Sequence, residues 1–109
     1  MSGKRAKLVW PKSVTVLGQG YDVAVVDHID DEGTRGDCNV QRHAIRVKQD
    51  SDDWNWSTLL HELAHAWLEE SKLNTHLSDE LEELLVVCIE QQFLPLVFEL
   101  LGKRSILPK

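Results

Sequence analysis

Leu59-Leu60-His61-Glu62-Leu63-Ala64-His65-Ala66-Trp67-Leu68 holds the pattern His-Glu-x-x-His inside a run that otherwise reads as one helix. With about 3.6 residues per turn, positions i and i+4 stack on one face, so His61 and His65 can aim two imidazole nitrogens at one metal ion. Glu62 lies one step round the helix, offset from the ion yet within reach of a water beside it, as a general base must be. The neighbouring side chains are uncharged and mostly apolar, which keeps the histidines neutral and able to ligate. Gly and Pro are absent from 54 to 94. A helix from about Asn55 to Ser71 is predicted, with Ser57 or Thr58 as its N-cap.

Outward from that helix, 109 residues make one domain spanning 1–109. An apolar content of 42% with four tryptophans is enough for one modest core. The formal charge of −6, from 18 acidic and 12 basic side chains, is the opposite of a nucleic-acid binder's balance. Cys38 and Cys88 form no C-x-x-C pair and read as reduced thiols, Cys88 in a helix and Cys38 in a loop. No apolar run approaches the roughly 18 residues of a membrane span, and the first residues lack the apolar stretch of a secretory signal. The expected compartment is the cytoplasm, with no membrane and no nucleic acid among the partners.

Residues 1–7 are basic and polar, a frayed tail. Val14 to Leu17 and Tyr21 to Val26 are β-branched-rich runs separated by Gly18-Gln19-Gly20, predicting a hairpin or one bent strand. The stretch 27–39 reads as a polar loop; its Asp30-Asp31-Glu32 run lacks the spacing of a calcium loop. His43 to Gln49 alternates apolar and polar, as a strand with one buried face does. Trp54 and Trp56 are expected to cover the end of the core. Lys72 to Leu77 forms a connector. Ser78 caps a second helix over about Asp79–Phe93, apolar on most sides and predicted to be mostly buried. Pro95 ends or kinks it, 96–101 forms a last helical turn or a continuation, and Gly102 stops it. The fold class is α+β: a small antiparallel or mixed sheet of about three strands packed on the His-Glu-x-x-His helix and on a second, glutamate-bearing helix.

Two histidines need a third protein ligand that leaves one position open. Projected as a regular helix, the second helix puts Glu82 on the stripe of Val86, Ile89 and Phe93, and Glu83 with Asp79, Val87 and Glu90. A carboxylate on an apolar stripe is costly unless a cation compensates it, which favours Glu82; Glu83 and His76 are the rivals. The alternative is an acidic first turn that only complements the helix dipole.

The metal helix, followed by Leu77-Ser78-Asp79-Glu80-Leu81-Glu82-Glu83-Leu84, resembles the minimal gluzincin metallopeptidases of the ImmA/IrrE-like group, which includes small phage-encoded members. A strand similar to Ala44-Ile45-Arg46-Val47 belongs to that pattern. Metzincins fit worse, since Leu68 and Ser71 stand where they place Gly and His; so does the SprT-like pattern, because Leu77 follows His76. The resemblance covers roughly 14 to 94. It implies a zincin-like domain with a Zn²⁺ cofactor, His61, His65 and Glu82 as ligands, Glu62 as the catalytic base, and a protein or peptide substrate. An extended substrate is expected along the His43–Gln49 strand as the sheet edge. Tyr21, His28, His43 and His76 are candidates for oxyanion stabilisation. The second hypothesis is a zinc-binding structural or interaction module, phage or toxin–antitoxin-like, without peptidase activity.

Overall fold

The computed structural model describes residues 10–29 and 33–100. The tail at 1–7, the acidic run at 30–32 and the helix stop at Gly102 lie outside the described residues.

β-Branched residues at alternate positions build the sheet. In β2 (Gln19–Val26) Tyr21 and Val23 point inward, and in β4 (Ala44–Lys48) Ile45 and Val47 do so. β1 (Ser13–Val16) pairs antiparallel with β2 across a turn in which Leu17 and Gly18 take positive φ, the Gly at no steric cost. β3 (Gly36–Asn39) pairs antiparallel with β4, and β4 runs parallel to β2. The strand order is β1-β2-β4-β3. The sheet therefore has four strands and is mixed. Two expectations change here. The stretch 27–39 is not all loop, since its last four residues form β3 and carry Cys38. His43–Gln49 is not the edge, because β4 lies between β2 and β3. A short polar strand such as Gly-Asp-Cys-Asn has no hydrophobic alternation to reveal it; its pairing with β4 makes it a strand.

α1 (Asp52–Glu70) crosses one face of the sheet. Its N-cap is Ser51, whose Oγ accepts from the Trp54 N–H at 3.3 Å. Ser57 and Thr58, the expected caps, lie inside the helix and are buried. Leu59, Ala66 and the half-buried Leu63 meet Val16, Tyr21, Val23, Ile45 and Val47 to form the core. Trp56 packs on that core and edge-on to Trp10, ring centroids 4.8 Å apart. Trp54 stands outside it, 44% exposed.

A 3₁₀ turn (Leu73–His76) leads to α2 (Asp79–Cys88), capped by Ser78 Oγ accepting from the Leu81 N–H at 3.1 Å. A π-helical turn over Ile89–Phe93 then runs into α3 (Leu94–Leu100). The extra residue has a local cause in Pro95: lacking an N–H and crowding the carbonyl four residues back, it cannot extend a regular ladder. The Leu94 N–H accordingly reaches back to the Ile89 carbonyl. Within α2 only Val86 is buried, so the expected burial of most of this helix is not met. Among the described residues no helix is long and apolar enough to cross a membrane.

Candidate metal centre

His61 and His65 leave α1 on the side facing α2, their ring centroids 5.1 Å apart. From α2, Glu83 comes to meet both: Oε1 stands 2.7 Å from His61 Nε2 and Oε2 3.3 Å from His65 Nε2. Ligand atoms of His61, His65 and Glu83 all lie within 4.8 Å of one another. Glu82 takes a different place, its Oε2 accepting from His65 Nδ1 at 2.7 Å. His61 Nδ1 likewise donates to Glu90 Oε1 at 2.8 Å.

Each ring thus has a carboxylate oxygen opposite both of its nitrogens. A neutral imidazole offers one donor and one acceptor, and an ionised carboxylate only accepts. With each Nδ1–H given to Glu90 or Glu82, each Nε2 presents a lone pair toward Glu83. Lone pair against lone pair is repulsive unless a cation lies between them. Two protons or one divalent metal ion would meet the need. The donor set suits zinc, whose sites combine neutral imidazoles with a carboxylate, each histidine being held through its second nitrogen.

Glu90 is 2% exposed and belongs to the π turn. It also accepts from the Ser57 hydroxyl and lies 3.7 Å from Arg35 Nη2. Burial alone would raise its pKa, but the hydrogen bonds from His61 and Ser57 and the Arg35 charge outweigh that and hold the carboxyl below its ordinary value. Burial by itself would lower the pKa of His61, yet the surrounding carboxylates, Glu90 first, raise it. Arg35 lies over the Trp54 ring at 5.2 Å, and its Nη1 is buried without a hydrogen-bond partner.

Glu62, 9% exposed, faces β3. A Cβ added at Gly36 would sit 3.6 Å from Glu62 Cγ, 2.6 Å from Thr58 Cγ2 and 2.7 Å from the Arg46 carbonyl, so glycine alone lets the edge strand lie this close to α1. Burial pushes the Glu62 pKa up, partly countered by His61 and His65, with Asp37 and Glu83 pushing it further.

The structure gathers His61, His65 and Glu83 at one face and sets Glu82 at His65 Nδ1, while Glu62, next to His61 in the chain, turns toward β3. The projection rightly turned Glu82 toward the inside, where it is half-buried beside Val86. It did not register that the two helices cross so as to put the next carboxylate over the histidines. His76 is exposed at the end of the 3₁₀ turn and does not join the cluster, and His28 is exposed. Tyr21 is fully buried and donates to Glu70 Oε2 at 2.5 Å, with His43 Nε2 3.6 Å from the same oxygen. Both are engaged in that separate cluster. Sequence marks Ser57 only as a possible helix cap and Glu90 only as one of the second helix's carboxylates, and it does not mark Arg35; that the three meet is decided by the fold. Projection as a regular helix does group Glu90 with Glu83, and both carboxylates reach His61.

Comparison with family models, with known proteins and with solved structures finds no match. The functional reading rests on the geometry alone.

Proposed function

We propose that the protein is a cytoplasmic zinc-dependent metallopeptidase, with Glu83 replacing Glu82 in the ligand set His61, His65 and Glu83. One observation carries this reading: two imidazole Nε2 atoms converge on one carboxylate, a donor set suited to a divalent metal ion, beside a buried glutamate. Zinc bound there would polarise a carbonyl and lower the pKa of water to about 7. Glu62 would accept the proton of the attacking water on a carboxylate oxygen and return it to the leaving nitrogen. Glu90 and Glu82 accept from the two rings at Nδ1, leaving the Nε2 atoms of His61 and His65, with Glu83, as the groups that would hold zinc.

β3 is the strand at the sheet edge beside Glu62, so an extended peptide would pair with Gly36–Asn39, not with β4.

The second reading, a zinc-holding interaction module, draws on the exposed apolar face of α2 and α3. One experiment separates the two. Protein purified without chelator is assayed for metal and for cleavage of a peptide library, alongside His65→Ala, Glu83→Ala and Glu62→Gln. A peptidase holds about one zinc per chain, loses it in His65→Ala and Glu83→Ala, and in Glu62→Gln keeps zinc while losing cleavage. Zinc without cleavage in the wild type favours the module; no zinc uptake sinks both.

A further inference from the structure

Between the start of β3 and the first half of α1 lies a cavity of about 120 Å³, lined by Arg35, Lys48, Asp50, Trp54 and Thr58. At about 30 Å³ for each water molecule it has room for a small ionised group but not for a whole cofactor. Arg35 sets its chemistry. The Lys48 N–H donates to the Arg35 carbonyl at 2.7 Å, which fixes this residue on β4 just ahead of Gly36. The Arg35 guanidinium lies over the Trp54 ring, and its Nη2 stands 3.7 Å from Glu90 Oε1, an ion pair too long for a hydrogen bond. Its Nη1 is buried and has no hydrogen-bond partner among the described residues. A guanidinium held over an aromatic face keeps its in-plane N–H donors, the fork that matches a carboxylate, for another partner. Trp54, which stands outside the core, thereby has a role in holding Arg35.

The charges around the cavity select the same kind of ligand. Lys48, exposed, adds a second cation, whereas Asp50, the acidic residue of the lining, already accepts from the Ser51 N–H at 2.8 Å. On a chain of formal charge −6 this is a local exception. We propose that the cavity binds a carboxylate group of an extended peptide lying on β3, held by Arg35 with Lys48 beside it. An acidic side chain and a peptide's own C-terminus offer the same group. The peptide's place on β3 rests on the peptidase reading, but the carboxylate site needs neither the metal nor Glu62. Glu90 Oε1 stands between the cavity and the metal centre: it faces Arg35 Nη2 on one side and accepts from His61 Nδ1 at 2.8 Å on the other. A peptide anchored in the cavity would therefore lie beside the histidines.

The test titrates three peptides of about five residues into isotope-labelled protein, followed by NMR with the indole N–H of Trp54 as reporter. One carries a central glutamate and has both ends blocked; the second is its blocked glutamine counterpart; the third is that counterpart with a free C-terminal carboxylate. At least one carboxylate-bearing peptide should bind at least about tenfold more tightly than the neutral one and shift the Trp54 signal, and the stronger of the two identifies the source of the group. Arg35→Gln should reduce it to the affinity of the neutral peptide. Equal binding of all three, no binding of any, or a preference that survives Arg35→Gln overturns the proposal. So does tighter binding of inorganic phosphate than of either acidic peptide, which would assign the cavity to a phosphate group. Each titration is repeated in EDTA, where the preference should persist. Its loss there would assign the carboxylate to the metal centre, overturning this proposal while leaving the peptidase reading in place; a protein that takes up no zinc but keeps the preference does the reverse. Should circular dichroism show Arg35→Gln unfolded, Arg35→Lys takes its place. That variant keeps the charge beside Glu90 but loses the planar fork, so a loss of about tenfold is expected, and an unchanged preference overturns the proposal.

Discussion

At the residue scale, adjacent glutamates have separate duties, and mutation should tell them apart. Glu83 faces the Nε2 atoms of both histidines, whereas Glu82 holds one ring by its Nδ1. Loss of an outer carboxylate of this kind costs about 10–100-fold in metal affinity. In a zinc competition titration with a chelating dye, Glu82→Ala should therefore weaken binding within that range, and Glu83→Ala by more. Equal effects would mean that the two carboxylates share the site. Glu90 has a structural duty as well. Its removal leaves His61 Nδ1, the Ser57 hydroxyl and Arg35 without their common acceptor in a buried setting. Glu90→Ala is expected to cost about 3 kcal/mol in urea unfolding of the metal-free protein, as breaking a buried pair from one side does. A loss below about 1 kcal/mol, the worth of an ordinary hydrogen bond, would show that water replaces the network.

At the element scale, the close approach of β3 to α1 is the feature that can be broken by one methyl group. Gly36→Ala would drive a Cβ to 2.7 Å from the Arg46 carbonyl, a backbone atom held in the sheet, and to 2.6 Å from Thr58 Cγ2. Neither can give way without moving strand or helix. Destabilisation of about 1–3 kcal/mol is expected from overpacking of this kind, read as a lower midpoint in thermal unfolding. Because Glu62 lies on the other side of the contact, any peptidase activity should fall in the same variant. An unchanged midpoint would mean that β3 is free to shift, and with it the proposed substrate edge. α2, the π turn and α3 show a second element-scale effect: the bond from the Leu94 N–H to the Ile89 carbonyl takes in one extra residue and so rotates α3 relative to α2.

For the whole molecule, the core between sheet and α1 holds two weak acids in their neutral forms. Tyr21 is fully buried, and burial, with Glu70 beside it, raises its pKa well above the ordinary 10.0. Burial pushes the Cys38 thiol from 9.0 up to about 12, with Glu62 and Asp37 adding to the shift. Unfolded, both groups ionise at their ordinary values; folded, they keep their protons. Above pH 9 the folded state therefore binds more protons than the unfolded one, and stability falls as pH rises. Their contribution is complete below pH 9 and lost toward pH 12. Urea midpoints measured at pH 8, 10 and 11 should decline, and Tyr21→Phe with Cys38→Ala should flatten the decline. A slope unchanged in that variant would place the alkaline sensitivity elsewhere.

The sequence by itself determined what depends on neighbours along the chain. The spacing of His61 and His65 fixes two imidazoles on one face, the alternation in Tyr21–Val26 and Ala44–Lys48 fixes two strands, and Ser78 fixes a helix start. Each follows from helix or strand period, which a string of residues displays directly. Tertiary structure decided whatever depends on how elements cross. Gly36-Asp37-Cys38-Asn39 became the edge strand because β4 was there to pair with it, and α1 began at Asp52 because its cap, Ser51, lay about two turns before the expected ones. Glu83 rather than Glu82 faces the histidines because the crossing of α2 over α1, set by packing around Val86, sends one carboxylate across and leaves its neighbour beside a ring. Glu90, seven residues after Glu83, shares its stripe, and both reach His61; projection groups the two but does not say that their stripe is the one facing α1. A residue's phase is a local property only while the helix is regular; its partner is settled by the packing of one element on another.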